Sequence, residues 1–315
     1  MKVFVFDPLW PSLITPELER QLKDAGADVT VTTAEAPLQN CAPLFAGDEE
    51  KILAVNPDYV GWKLPAEKFE KIKNLKAIVT QSTSFGWIDT NHAAQNGTAV
   101  VNIRNFSTDA VAEWAIMMML NVARRIPLLI KNDFPLNFAD DFQTYQGANL
   151  KGKKAGIVGL GNIGRAVAER CAGLGMEVVY WNKSPKSAPF KAESLETLFA
   201  TSDVIFPCMA DTPETHGIIT DAHIAAMKPT SLFISIVHKY YNHDLLLERI
   251  EKGTLFGYAY EADPAAFNAH KGNVWAAPAY AWCTDGSMRQ SMDMFVQAII
   301  DATKGSYPNI VNKAA

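Results

Sequence analysis

The chain has 315 residues, of which 48% are hydrophobic and 20% charged, and it carries a formal net charge of −5. This length favours two domains, and the apolar content excludes a disordered chain. A mildly acidic chain lacks the basic footprint of a nucleic-acid-binding protein, so no nucleic-acid partner is expected.

Neither a membrane span nor a signal peptide is predicted. The most apolar helical stretch, residues 110–126, is interrupted by Glu113 and Arg125 and falls short of the roughly 20 apolar residues that a span needs. The N-terminal run stops at Asp7 and Pro8 and has no cleavage site of the secretory type. The 4 cysteines are widely spaced, which predicts reduced thiols, no metal site and a cytoplasmic protein.

Strand-like and helix-like segments alternate through the first third of the chain, which is typical of an α/β protein with a parallel sheet. Thr15 is placed to cap the first helix, and Pro16 suits its first turn. The predicted strands are KVFVF, DVTVTT, KILAV, LKAIVT and TAVVNI, and the predicted helices are TPELERQLKDAG, PAEKFEKI and DTNHAAQNG.

Residues 108–131 are predicted to form one long helix that is apolar on nearly every face. Such a helix is buried either between domains or in a subunit interface. Its three consecutive methionines, Met117 to Met119, are interpreted as core filling.

After a polar stretch at 132–150, a second α/β series begins. Its predicted strands are KKAGIVGL, MEVVYWN, DVIFPCM, SLFISIV, LFGYAYEA and NVWAAP. The predicted helices are GNIGRAVAERCAGLG, SLETLFATS, DAHIAAM, HDLLLERIEKG and, last, SMRQSMDMFVQAIIDATKG.

A glycine-rich motif opens this second series and predicts a dinucleotide site. It reads Gly159-Leu160-Gly161-Asn162-Ile163-Gly164, follows an apolar strand and starts an amphipathic helix. The first glycine permits a tight turn, the second a close approach of a pyrophosphate, and the third close packing of helix and strand. The N-terminus of the helix offers free N–H groups to the phosphates.

The end of the next strand bears on which dinucleotide binds. An NAD site usually has an acid there, to accept hydrogen bonds from the ribose 2′-hydroxyl. Here the segment contains Asn182, Lys183, Ser184 and Lys186, a neutral amide followed by groups able to bind a 2′-phosphate. The residues favour NADP over NAD, while solvated lysines remain the alternative explanation.

Several segments together resemble the D-isomer-specific 2-hydroxyacid dehydrogenases. They are NLKGKKAGIVGLGNIGRAVAERCAGLGMEV, TPETHGIIT, AAMKPTSLFISI, FSTDAVAEWAI and PAYAWCTDGSMR, and the resemblance covers almost the whole chain. It implies two Rossmann-like, or flavodoxin-like, domains with parallel sheets and an active site in the cleft between them. The implied substrate domain comprises 1–103 plus 284–315, and the inserted dinucleotide-binding domain comprises 104–283. Homodimers are typical of the family.

The resemblance also implies site residues. Thr108 and Glu261 match positions that contact the nicotinamide, although the family usually has Asp where this chain has Glu. Cys208, Met209 and Thr212 match a segment that borders the cofactor. The turn Ser82-Thr83-Ser84 matches a glycine-rich turn whose N–H groups hold a substrate carboxylate.

At the catalytic positions the sequence departs from the family pattern. The family reduces a 2-keto acid with an Arg that binds the carboxylate and carbonyl and a His, held by a Glu, that supplies the proton. By position, His238 replaces the Arg, Ala279 replaces the His, and the Glu falls near Ala266. Alanine cannot donate a proton, and without the guanidinium the bidentate clamp is lost. The usual mechanism therefore needs replacement residues.

Candidate replacements are His238, Lys239 and Tyr280. His238 titrates in the useful range and is expected at the carboxyl end of a strand, while Lys239 offers a cation and Tyr280 a hydroxyl. Aromatic residues, Trp282 among them, suggest a bulkier substrate pocket than lactate needs. Three hypotheses stay open. The first is an NAD(P)-dependent oxidoreductase with an altered proton donor, and the second is an inactive NAD(P)-binding sensor or partner-binding protein of the same fold. The third, least favoured, is an ordinary 2-hydroxyacid dehydrogenase whose catalytic residues lie at other positions.

Overall fold

The computed structural model describes residues 1–34, 37–134, 138–210, 212, 214–236, 240–261 and 269–312, without the side chains of 138–141 and 277. The chain divides into two compact units. Unit 1 comprises Met1–Ser107 and Thr284–Ala315, and unit 2 comprises Thr108–Cys283. This division leaves the second unit inserted within the first.

Unit 1 is built on a five-stranded parallel sheet. The strands are β1 (Lys2–Phe6), β2 (Asp28–Thr32), β3 (Lys51–Val55), β4 (Leu75–Thr80) and β5 (Ala99–Asn102), in the order β2-β1-β3-β4-β5. Its helices are α1 (Trp10–Leu13), α2 (Pro16–Asp24), α3 (Ala42–Phe45), α4 (Thr90–Gln95) and the C-terminal helix Asp285–Thr303. Short 3₁₀ turns lie at Leu38–Asn40, Pro57–Val60 and Ala66–Lys68.

Alternating strand residues give unit 1 a core on each face of its sheet. Val3 and Val5 pack on one face with the C-terminal helix, and Phe4 and Phe6 pack on the other. The predicted cap is present, since Thr15 Oγ1 accepts from Leu18 N at 3.3 Å. The parallel α/β architecture predicted from the sequence is confirmed for this unit.

Two details of unit 1 differ from the sequence-based expectation. The segment PAEKFEKI forms only the 3₁₀ turn Ala66–Lys68, so the predicted helix there is wrong. The unit also extends four residues beyond the expected boundary at 103. Arg104 Nε donates to Asn102 Oδ1 at 3.2 Å and Phe106 packs against the core of unit 1, and both contacts attach this short segment to it.

Unit 2 is built on a seven-stranded parallel sheet. The strands are β6 (Lys154–Val158), β7 (Glu177–Trp181), β8 (Lys191–Ala192), β9 (Val204–Pro207), β10 (Leu232–Ser235), β11 (Gly257–Glu261) and β12 (Val274–Ala277), in the order β12-β11-β10-β9-β6-β7-β8. The helices are α5 (Thr108–Ala123), α6 (Ile126–Lys131), α7 (Phe138–Tyr145), α8 (Asn162–Gly173), α9 (Leu195–Thr201), α10 (Asp221–Ala226) and α11 (His243–Glu251).

The helix predicted over 108–131 is two helices. Arg125 adopts a left-handed conformation (φ 52°) between α5 and α6, and Pro127 lies in the first turn of α6. A left-handed residue cannot continue an α-helix, and proline cannot donate to the turn before it. One face of α5 is not covered by the chain itself, since Leu120 is 41% exposed. Within the described residues, no helix is long and apolar enough to cross a membrane.

Candidate cofactor and substrate site

The glycine-rich loop connects β6, in the middle of the unit 2 sheet, to α8. Gly159 has φ +100°, a conformation that residues with a Cβ rarely adopt, and its N–H donates to Trp181 O at 2.8 Å. A Cβ on Gly159 would lie 2.7 Å from Met209 Cγ. Gly159 therefore makes the turn, and its lack of a side chain allows the segment after β9 to pack against the loop.

The other two glycines of the motif have different surroundings. A Cβ on Gly164 would meet the Gly159 carbonyl oxygen at 2.0 Å, so helix and loop touch there. Around Gly161, by contrast, no atom lies within 4 Å of the place where a Cβ would be. Gly161 is the N-cap of α8 and makes no side-chain cap. A backbone that is open at the second glycine and an α8 N-terminus without a side-chain cap fit a pyrophosphate.

The order of the strands places this loop at a topological switch point. From β6 the chain proceeds to β7 and β8 on one side, and then returns to β9 on the other side of β6. Ligands of open α/β sheets bind at the carboxyl ends of strands where the order reverses. Cys208 N donates to Val158 O at 2.8 Å, which holds the beginning of the segment after β9 beside the glycine-rich loop.

Asn182, directly after β7, links the glycine-rich loop to the next loop. Its Oδ1 accepts from Leu160 N at 2.9 Å, and its Nδ2 donates to Ser184 O at 2.8 Å. Lys183 and Ser184 are exposed. The position where an NAD site usually has an acid thus holds a neutral amide whose oxygen already accepts a backbone N–H.

The predicted segment Cys208, Met209 and Thr212 follows β9, and its first two residues lie beside the glycine-rich loop. Met209 is buried, and its carbonyl accepts from Tyr240 Oη at 3.2 Å. Thr212 N donates to Thr215 Oγ1 at 3.0 Å, which closes a tight turn. Burial raises the pKa of the Cys208 thiol, so the thiol is neutral and contributes no charge.

Glu261 lies at the carboxyl end of β11 and is half-buried. Burial raises its pKa to about 7, against a weaker opposing effect of the hydrogen bond that its Oε1 accepts from Ala281 N at 3.3 Å. The same bond brings Glu261 to the turn that contains Tyr280, whose side chain is 59% exposed. Trp282 follows in that turn and is half-buried.

The remaining predicted residues of unit 2 are distributed as follows. Thr108 is the first residue of α5, and Asn162 and Ile163 open α8, with Ile163 packed against the core. His238 and Lys239 lie outside the described residues, as does Ala266. The roles suggested for His238 and Lys239 therefore remain sequence-based predictions.

The predicted substrate turn follows β4 in unit 1. Ser82 is buried, while Thr83 and Ser84 are exposed. The Ser82 hydroxyl donates to Ser84 O at 2.7 Å, and Asn102 Nδ2 donates to Thr83 O at 2.6 Å. Two carbonyl oxygens of the turn are thereby engaged by side chains of its own unit, which fixes its shape.

A buried polar cluster that the sequence did not indicate lies beside this turn. Asn56, after β3, donates from Nδ2 to Asp7 Oδ1 at 3.0 Å and to Gln81 Oε1 at 3.1 Å. Burial raises the pKa of Asp7, whose Oδ2 has no hydrogen-bond partner. Parallel strands bring the three residues together at one edge of the sheet, and only the topology could reveal that.

Two further residues that support the elements around the glycine-rich loop were not singled out from the sequence. A Cβ on Gly156, inside β6, would lie 2.6 Å from Leu198 Cδ2, so this glycine admits α9; a glycine inside a predicted strand is the available signal. Arg165 Nη2 donates to Ser187 O at 3.0 Å and connects α8 to the loop after β7. No group of three or more His, Cys, Asp or Glu suited to a metal occurs in the described part of the chain.

Characterised reductases are similar to this chain in sequence. A glyoxylate reductase of Thermofilum pendens is 29% identical over 282 residues, covering 84% of this chain and 82% of the relative. A hydroxypyruvate reductase of Blautia hydrogenotrophica is 28% identical over 272 residues, covering 79% and 82%.

Solved structures share the fold. The D-lactate dehydrogenase of Aquifex aeolicus, complexed with NAD and lactic acid, has a TM-score of 0.79 at 24% identity, covering 99% of this chain and 100% of that one. An acyclic imino acid reductase in complex with NADPH and D-Arg has a TM-score of 0.80 at 22% identity, with the same coverage.

Residues 116–278 match the family described as the D-isomer specific 2-hydroxyacid dehydrogenase, NAD binding domain. The match covers more than half of the chain and contains the glycine-rich loop, the segment after β9 and Glu261. The chain belongs to the D-isomer-specific 2-hydroxyacid dehydrogenases, a family of NAD(P)-dependent oxidoreductases.

Proposed function

We propose that the protein reduces a carbonyl substrate, a 2-oxo acid first of all, or oxidises the corresponding hydroxy compound, with a proton donor other than the family's histidine. The observation that carries this proposal is the loop at the switch point, where Gly161 leaves space and α8 presents an N-terminus without a side-chain cap. The relatives are a glyoxylate reductase and a hydroxypyruvate reductase, so glyoxylate and hydroxypyruvate belong among the first substrates to test.

Different residues of unit 2 would contact different parts of the cofactor. The backbone N–H groups at the start of α8 would hold the pyrophosphate, and the amide of Asn182 fixes the shape of the loop. Glu261 in its ionised form offers acceptor oxygens to a carboxamide. When bound, a reduced nicotinamide supplies a hydride to the carbonyl carbon.

The carbonyl oxygen then needs a proton from the chain. We place His238 first among the donors, because it matches the position of the family's arginine at the end of a strand. Tyr280, whose side chain is 59% exposed, is the second candidate. Lys239 is assigned a different task, attraction of an anionic substrate. In each case the donor is left as its conjugate base and is reprotonated by water.

Two variants test the proton donor. His238→Ala is expected to lower kcat by about 100-fold or more, since general acids contribute typically 10²- to 10⁴-fold, while the Kd for NADPH stays unchanged. Tyr280→Phe, which retains the ring, is the matched comparison and should leave kcat within about threefold if His238 is the donor. The opposite pattern assigns the proton to Tyr280.

We also propose that NADP is preferred to NAD. The support is a neutral Asn182 where a carboxylate would repel a 2′-phosphate, together with the exposed Lys183 and Ser184 and the nearby Arg165. Asn182→Asp should lower the affinity for NADPH by about tenfold and lower that for NADH less. An unchanged ratio of the two dissociation constants would contradict the preference.

The alternative function is an inactive NAD(P)-binding sensor or partner-binding protein. Ala279 at the position of the family's histidine favours it, because a methyl group cannot donate a proton. The two functions differ in one observable, transfer of hydride to any carbonyl substrate.

A homodimer and a cytoplasmic location complete the proposal. Leu120 on α5 and Ile130 on α6 are 41% and 37% exposed, and Trp114 Nε1 is buried without a hydrogen-bond partner. Apolar exposure on neighbouring helices of one unit suits a second copy of the chain. The four cysteines are free, which suits a reducing compartment. Light scattering on the purified protein tests the dimer.

A further inference from the structure

An aromatic surface adjoins the predicted substrate turn in unit 1. It consists of Trp62, Phe85 and Trp87, and we refer to it as the aromatic platform. Trp62 is 46% exposed and Phe85 37% exposed. The indole rings of Trp62 and Trp87 meet edge to face, with centroids 6.0 Å apart and an interplanar angle of 70°.

The platform is attached directly to the turn. Trp87 Nε1 donates to Ser84 O at 3.0 Å, so the edge of its ring lies against the last residue of the turn. Trp87 O accepts from Leu64 N at 2.8 Å, and this bond joins the segment after Trp62 to the same region. Phe85 follows the turn immediately.

Trp62 is held in a conformation that large side chains avoid. Its φ is 54°, in the left-handed region, directly after Gly61 with φ 61°. Its N–H donates to Pro57 O at 2.9 Å and its Nε1 donates to Asp58 Oδ1 at 2.7 Å. Asn or Gly would satisfy this backbone without strain and would expose no apolar ring. A strained, exposed indole is therefore an outlier that points to a function.

We infer that the aromatic platform binds the side chain of the substrate, and that the substrate is a 2-oxo acid with an aromatic side chain. This inference rests on the proposed function, which places a carboxylate at Ser82-Thr83-Ser84. Because Trp87 contacts Ser84 O and Trp62 contacts Trp87, the rest of an acid whose carboxylate is held at this turn would lie beside the platform. Flat apolar groups stack on indole faces or meet their edges, whereas a glyoxylate molecule has no side chain to place there.

Phenylpyruvate and glyoxylate provide the test, with Trp62→Asn as the principal variant. Asparagine tolerates the left-handed backbone, so the melting temperature should stay within about 3 °C of the parent value. The variant should lower kcat/KM for phenylpyruvate by about tenfold, the change expected from losing one aromatic contact face, and leave that for glyoxylate unchanged. Trp62→Phe keeps an aromatic ring, so its kcat/KM for phenylpyruvate should fall by less than about threefold.

Calorimetric titration of phenylpyruvate, with and without NADP, separates the inference from the proposed function. One outcome is that neither acid is reduced, but phenylpyruvate binds the parent protein about tenfold more tightly than it binds the Trp62→Asn variant. In that case the proposed reductase function is wrong, while the aromatic platform is supported as a binding surface. The inference is overturned if phenylpyruvate does not bind the parent protein. It is also overturned if Trp62→Asn lowers kcat/KM equally for phenylpyruvate and glyoxylate. A loss of stability in Trp62→Asn without any change in phenylpyruvate binding likewise overturns it, because Trp62 is then only a structural residue.

Discussion

Alanine at two glycines of the same loop is predicted to have different consequences for stability and for cofactor binding. In Gly164→Ala, the new Cβ would lie 2.0 Å from the carbonyl oxygen of Gly159 and 3.1 Å from its carbonyl carbon. The loop and α8 must separate by about 1 Å to restore a normal contact, and overpacking of this kind costs about 1–3 kcal/mol. Because the obstacle is backbone, no side-chain rotation relieves it.

Gly161→Ala is the matched variant. The new methyl group would meet no atom within 4 Å. Gly161 has φ −78° and ψ −163°, which alanine adopts readily, so only the poorer N-cap preference of alanine remains, a cost of less than about 1 kcal/mol. The same methyl group would occupy the space where a pyrophosphate approaches, and we expect NADPH to bind about tenfold or more weakly.

The assay combines urea unfolding without cofactor and titration of NADPH by fluorescence. Gly164→Ala should lower both the free energy of unfolding and the affinity for NADPH, whereas Gly161→Ala should lower the affinity and cost less than about 1 kcal/mol of stability. Near-parental NADPH binding by Gly161→Ala would refute the assignment of this loop to the pyrophosphate. Equal losses of stability in the two variants would refute the geometry of the loop.

Three further substitutions test other parts of the account. Burial raises the pKa of Glu261 from 4.5 to about 7, so its contribution to stability is complete below about pH 4.5 and is lost as the pH rises through 7. Glu261→Gln cannot lose a proton there. Its free energy of unfolding, measured by thermal unfolding, should therefore rise relative to the parent by up to about 3 kcal/mol between about pH 5 and pH 9. Asn56→Ala removes the donor to Asp7 and Gln81 and should cost about 1–3 kcal/mol in urea unfolding. Lys51 is 1% exposed and donates to three carbonyls, so Lys51→Met should cost about 1–3 kcal/mol by the same assay.

Matched measurements make these expectations refutable. A parallel pH dependence of the parent protein and Glu261→Gln would mean that Glu261 titrates normally in the folded protein. Thr83→Ala, at an exposed side chain near the Asn56 cluster, should change stability by less than about 0.5 kcal/mol. A similar loss in Thr83→Ala and Asn56→Ala would show that the buried hydrogen bonds contribute little.

The interior strands of the sheets were predictable because they are continuous apolar runs, as buried parallel strands require, whereas the exposed two-residue edge strand β8 was not predicted. KILAV and AGIV are such runs, and β3 and β6 lie in the interior of their sheets. The helices were less predictable where a single backbone conformation decides. Arg125 ends the first part of the helix predicted over 108–131 by adopting φ 52°. An arginine in a sequence does not indicate a left-handed conformation.

The cofactor loop was predictable from residue types, since each glycine has a local steric reason. Its partners were not, because they come from distant parts of the chain. Leu160 N donates to Asn182, and the pKa of Glu261 is raised by burial at the end of β11, the second strand from one edge of the sheet. The strained backbone of Trp62 is likewise invisible in the sequence, because it depends on the turn that Pro57–Val60 forms before it.

Transfer of deuterium is the most direct test of the central claim, that this chain performs hydride chemistry without the family's histidine. NADPH deuterated at the transferable position is incubated with the protein and, separately, with glyoxylate, hydroxypyruvate and phenylpyruvate, and the products are read by mass spectrometry. We predict deuterium at C2 of a hydroxy acid, with a rate that falls by about 100-fold in His238→Ala. Tight binding of NADPH with no deuterium in any product would contradict the claim and leave a nucleotide-binding protein without reductase activity.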